Sequence, residues 1–140
     1  MSLHPDVLAD LLTAEADVAC DRLGDRIRGI ETTGDIVNVT FDAQARSWRL
    51  RLTGTEYDRL PVSVAFVDGN GIPLPGEQWP EGLAYPGLHP VLKTVWTCQR
   101  GTLEYHLFPG HTAADDSWDA NRADHRVADV IDHILQRCGV

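Results

Sequence analysis

The sequence contains no long apolar run, so no segment reads as a membrane-spanning helix. Its first residues, Met1-Ser2-Leu3-His4-Pro5, hold no basic patch followed by an apolar stretch; no secretory leader is expected, and the cytoplasm is the expected location. Cysteine is scarce. Cys20, Cys98 and Cys138 are far apart, odd in number and without CxxC spacing, which argues against a disulfide framework and a four-cysteine zinc site. There is no GxxxxGK loop to cradle a phosphate and no GxSxG elbow. Internal repeats and low-complexity tracts are also missing. Positive charge is in deficit: 12 Lys and Arg against 21 Asp and Glu give a net charge of −9. That balance repels phosphate backbones and disfavours nucleic acid as a partner, while a basic protein would be attracted.

What is present suits one domain with one core: 140 residues, 43% hydrophobic and 24% charged. Residues 5–23 read as a helix. Pro5 fits its first turn, Leu8, Leu12, Ala16, Ala19 and Leu23 recur at helical spacing, and Gly24 stops it. Cys20 falls at the edge of that stripe and is expected in the core. Four strand-like segments follow, at 26–32, 36–41, 47–53 and 61–67. Val37, Val39 and Phe41 alternate onto one face, as do Trp48, Leu50 and Leu52, with Arg49 and Arg51 outward. Short turns between them predict an antiparallel meander.

Residues 68–90 carry Pro73, Pro75, Pro80, Pro86 and Pro90, which break any regular ladder. A stretch of about twenty such residues is too long for an ordinary connector and reads as an ordered flap. Segments 91–98 and 102–108 look extended, and a turn at Arg100-Gly101 would join them as a short extra hairpin. In that register Cys98 pairs opposite Leu103 and faces inward with Trp96; a one-residue slip would reverse the face. A final helix from about Ala123 to Cys138 places Val127, Val130, Ile131, Ile134, Leu135 and Cys138 on one face, and His125 and His133 on the other. Asn121 or Asp119 would cap its start and Gly139 its end. The expected fold class is therefore α+β: a four-stranded antiparallel meander with helices at both ends of the chain.

The order helix, meander, proline-rich flap, cysteine segment and helix resembles the ubiquitin-conjugating (E2-like) family, over most of the chain. The run Gly54-Thr55-Glu56-Tyr57-Asp58-Arg59-Leu60-Pro61-Val62-Ser63-Val64-Ala65-Phe66 looks like the family's tyrosine-proline passage into its fourth strand. His89-Pro90 resembles the start of its His-Pro-Asn motif, with Cys98 nine residues after His89. Trp118 and the helix behind it are similar to the family's tryptophan and following helix. Trp96–His111 with Trp118 also resembles bacterial E2-like proteins. The family's asparagine after His-Pro is Val91 here, which removes a side-chain donor for developing negative charge.

The resemblance implies a single domain over residues 1–140 acting in a bacterial ubiquitin-like conjugation pathway. Its partners would be a ubiquitin-like modifier and an E1-like activating enzyme, and no cofactor is called for. Cys98 would carry the modifier as a thioester, Arg100 would stabilise the thiolate, and His106 or His111 would act as base. Alternatively the domain binds without catalysing, with Trp79, Tyr85 and Leu88 of the flap as anchors, and with His89 and Trp118 beside them. A third reading joins Cys98, His106 and His111, perhaps with His89, in a small zinc site. The hairpin register places His106 opposite Val95, roughly 10 Å from Cys98 along the sheet, too far for a shared ion unless the strands are irregular.

Overall fold

A computed structural model describes residues 3–140; Met1 and Ser2, on which part of the reading of the N-terminus rests, lie outside the described residues. The first helix, α1 (Pro5–Leu23), forms as its apolar spacing dictates: Leu8, Leu12, Ala16, Ala19 and Leu23 are its buried residues. His4 caps it by accepting the Asp6 amide on Nδ1 at 3.2 Å, and Gly24 ends it at φ +51°. Cys20 is exposed, contrary to the expectation that it joins the core. It lies one position past Ala19, where the stripe has already turned towards solvent.

Four strands follow: β1 (Gly29–Thr33), β2 (Ile36–Ala43), β3 (Arg46–Thr53) and β4 (Ser63–Val67). They pair antiparallel in sequence order, as expected of a meander. β2 and β3 meet through the two-residue turn Gln44-Ala45, both at positive φ, the geometry that matches strand twist. The register sets Val39 opposite Leu50, and Leu50 opposite Phe66. One sheet face thus buries Val37, Val39, Phe41, Leu50, Leu52, Val64 and Phe66 in the core with α1. The other carries Asn38, Thr40, Arg49, Arg51, Ser63 and Ala65.

The flap is ordered. Asp68 accepts the amides of Asn70 and Ile72 on Oδ1, which turns the chain back so that Leu74 N–H reaches the Phe66 carbonyl at 2.9 Å. Trp79 is buried against Phe66, with ring centroids 5.1 Å apart, and donates its indole N–H to the Leu74 carbonyl.

The expected hairpin over 91–108 does not form. Residues 91–101 are irregular, and 103–107 are a short helix, α2 (Leu103–Leu107). A further short helix, α3 (Trp118–Asn121), precedes α4 (Val127–Arg137), which starts four residues later than the spacing suggested. Its N-cap is Arg126, whose amide bonds the Asp129 carboxylate at 2.9 Å, and not Asp119 or Asn121. The apolar face of α4 is buried as expected, Cys138 included. His125 and His133 are half-buried, their rings 6.0 Å apart.

Candidate functional site

The segment that presents Cys98 is built on His89. Pro90 disfavours helix at His89, and the chain folds back at once. His89 N–H donates to the Thr94 carbonyl at 2.8 Å, and Lys93 N–H to the His89 carbonyl at 2.9 Å. The imidazole is fully buried. Its Nδ1 accepts the amides of Val91 and Leu92 at 3.1 and 3.0 Å, which leaves the ring proton on Nε2 for the Glu104 carbonyl at 2.7 Å. His89 is therefore a scaffold, closed to any ligand. Trp96 is buried beside it, stacked on Phe108 with centroids 5.3 Å apart and against Tyr85 at 4.5 Å. These rings clamp residues 89–96 and fix where Cys98 emerges.

Cys98 is exposed. The absence of the hairpin is the reason: no strand pairs across it and Leu103 does not oppose it. Gln99 begins a tight turn in which its carbonyl accepts both Thr102 N–H and Thr102 Oγ1–H. Gly101 stands at φ +94°, and a Cβ there would lie 2.9 Å from the His125 Cβ and 3.0 Å from Val130 Cγ2. Thr102 caps α2 by accepting the Tyr105 amide, and Leu103 N–H reaches the Val62 carbonyl at 2.7 Å, docking α2 beside β4. Arg137 of α4 extends its guanidinium to the Cys98 carbonyl at 3.4 Å and to Gln99 Oε1 at 3.3 Å. Partial burial pushes the Cys98 thiol up, and the Arg137 charge pulls it down.

Arg100 turns away from this thiol. It bonds Asp116 at 2.7 Å and the Tyr105 hydroxyl at 3.1 Å, so Arg137, and not Arg100, is the cation that acts on Cys98. His106 has both nitrogens engaged: Nδ1–H donates to the Asp116 carbonyl at 2.8 Å, and Nε2 accepts the Gly101 amide at 3.1 Å. Burial lowers its pKa. His111 donates from Nδ1 to the Tyr105 carbonyl and stacks on the Tyr105 ring at 3.8 Å, leaving Nε2 without a hydrogen bond. The two imidazoles thus flank Tyr105, and among the described residues no group of three or more His, Cys, Asp and Glu side chains could hold a metal ion.

Of the flap and tryptophan positions, Trp79 and Trp118 are packed inside, Trp118 donating to the Asp58 carbonyl at 2.9 Å. Tyr85 and Leu88 remain exposed, beside exposed Val91. Sequence reasoning missed Glu104. Its carboxylate is 2% exposed with no cation beside it; Oε1 accepts the Val64 amide at 2.9 Å and Oε2 the Ser63 hydroxyl at 2.7 Å. Burial pushes its carboxyl up. Arg137 was missed too, because only the fold brings the end of α4 to residue 98.

The fold and this site define an α+β domain with an antiparallel meander and a surface cysteine held by a buried histidine–tryptophan clamp. Compared with known proteins, the chain matches no family model and no curated protein. Among the described residues no helix is long and apolar enough to cross a membrane.

Proposed function

We propose that the protein is an E2-like carrier in a ubiquitin-like conjugation pathway of the bacterial type, acting in the cytoplasm, with Cys98 as the acceptor thiol. The observation that carries this reading is the exposure of Cys98 at the end of a clamped segment that begins His89-Pro90, with the Arg137 guanidinium at its backbone. In the first step the Cys98 thiolate attacks the thioester carbonyl of a modifier held on an activating enzyme. A new C–S bond forms, the old one breaks, and the donor cysteine leaves as thiolate. In the second step a lysine amine attacks, the C–N bond forms, Cys98 leaves as thiolate, and the amine proton passes to a base. His111 keeps an unengaged Nε2 for that role, whereas the Nε2 lone pair of His106 is committed to the Gly101 amide. Val91 gives no oxyanion donor from its side chain.

A second reading, a binding module without transfer chemistry, is favoured by the upward push on the Cys98 thiol, the direction opposite to an activated nucleophile. Alkylation separates the two. With Cys20→Ser to remove the other exposed thiol, a carrier takes up one iodoacetamide at Cys98 while folded, and Cys98→Ala abolishes the reducible adduct with its modifier while keeping the fold. If Cys98 resists alkylation until the chain unfolds, the carrier proposal fails.

A further inference from the structure

This acidic chain neutralises most of its cations in place: seven arginines have a carboxylate within ion-pair distance. Among the described residues, Arg46, Arg49, Arg51, Lys93 and Arg137 have none. Lys93 is the single lysine in the sequence. Four of these five, all but Arg137, gather on one side of the molecule. Arg49 and Arg51 alternate with inward-facing Leu50 on β3 and so share the outer sheet face, their Cα atoms roughly 7 Å apart. Arg46, at the start of β3, lines the same depression as Arg49. Lys93 lines a second depression with Arg51.

The first depression, about 350 Å³, has Thr40, Ser47 and Gly69 around the two guanidinium groups. Its lining includes one carboxylate, Asp68, whose Oδ1 is already taken by the Asn70 and Ile72 amides. The Nε of Arg49 is buried without a hydrogen-bond partner, a charged donor left without an acceptor. The second depression, about 430 Å³, contains no carboxylate; beside Arg51 and Lys93 its lining includes Leu74, Trp79, Leu88 and Val95. Leu74 belongs to both, so the two form one continuous surface.

We propose that this outer face docks an extended segment of a partner polypeptide that carries acidic and aliphatic side chains on one and the same face. Carboxylates meet Arg49, Arg51 and Lys93, and an aliphatic side chain fills the groove beside Leu74 and Val95. Charge complementarity selects the acid: uncompensated cations stand here in a molecule of net charge −9. The apolar lining selects a polypeptide over a nucleic acid, because a sugar–phosphate backbone has nothing to place in it and is repelled by the molecule as a whole. The proposal does not use the Cys98 thiol, although the second depression borders the 89–96 segment that presents it.

A fluorescein-labelled Glu–Leu peptide repeating Glu-Ser-Leu-Ser, about eight residues long, places Glu and Leu on one face and tests it by anisotropy with the full-length protein at low salt. Saturable binding is expected, weakened about tenfold or more by Arg49→Glu with Arg51→Glu and several-fold by Lys93→Glu. Arg59→Gln, which removes an ion-paired cation elsewhere, is expected to leave it unchanged, and a Gln–Leu peptide to bind at least tenfold more weakly. Lys93 lies on an exposed loop, so its variant reports even if the double variant loses its fold. Equal affinity for wild type and Lys93→Glu, or no saturable binding of the Glu–Leu peptide, would overturn the proposal. So would an oligonucleotide of equal charge that binds more tightly and displaces the peptide.

Discussion

At Cys98 two neighbours act on one thiol in opposite senses, burial raising its pKa and Arg137 lowering it. Removing the cation therefore lowers the thiolate fraction at neutral pH. Arg137→Ala is expected to slow alkylation of folded Cys98 at pH 7.5 and to move its rate–pH curve upward; an unchanged curve would show that Arg137 does not reach the sulfur. Glu104 shows the reverse design, a carboxyl kept off water by Ser63 and Val64. Its raised value means that its contribution to stability is full below the ordinary carboxylate range and is lost as pH rises through the folded value. Glu104→Gln keeps an acceptor for the Val64 amide and a polar partner for Ser63. It is expected to equal or exceed wild type in urea midpoint at pH 7, with the gap closing below about pH 4. Gly101 serves two needs, a left-handed φ and close contact with His125 and Val130. Gly101→Ala is expected to cost about 2–4 kcal/mol in urea unfolding. Of these three residues the sequence marks the cysteine, and Gly101 as a turn position, but not Glu104. Glu104 sits in a segment whose alternation, Leu103, Tyr105, Leu107, mimics a strand, so its burial carried no signal. The spacing points to Arg100, two residues from Cys98, whereas the cation that acts on it lies 39 positions along the chain.

Between elements, polar side chains fasten α1 to α4 and to the loop after β3. Glu15 accepts the Tyr57 hydroxyl and the Val127 amide on Oε1 and the Arg126 guanidinium on Oε2, while Arg126 also holds Asp58. Glu15→Ala leaves Arg126 with Asp58 alone and takes the acceptor from the Tyr57 hydroxyl and the Val127 amide; it is expected to cost about 2–3 kcal/mol, measured by urea unfolding. Asp132 on α4 is held down to about 2, chiefly by the Arg26 hydrogen bond. A depressed carboxylate contributes stability above its unfolded value and loses it as pH falls through the folded one. Asp132→Asn should therefore be less stable than wild type at pH 7 and equal to it near pH 2. The main elements were legible where periodicity runs long enough to average over single residues: the 19 residues of α1, the alternation of β2 and β3, and the buried face of α4. The five residues of α2 complete barely more than one turn, too few for a helical stripe to appear. Thr102, its cap, was the one available sign. The start of α4 was displaced because Asp119 and Asn121 have the chemistry of caps but sit in α3.

For the molecule as a whole, the arrangement gives its two surfaces different characters. The inner face of the sheet disappears into the core with α1. Its outer face keeps cations without carboxylate partners, and Cys98 opens at the other end of the clamped segment. The meander and its helices follow from apolar patterning, which is why the architecture could be read from the chain. Exposure of one thiol depends on whether a seven-residue stretch pairs as a strand or coils as a helix, and patterning does not decide between those. The proposed carrier function rests on that thiol. Its most direct test is capture of an acyl group from a synthetic peptide thioester ending in Gly-Gly, incubated with the folded Cys20→Ser protein and read by intact mass. A single thiol-reversible adduct mapped to Cys98 is expected, absent from Cys98→Ala, with buried Cys138 unmodified. A folded protein in which Cys98 takes no acyl group, yet accepts it once unfolded, would contradict it.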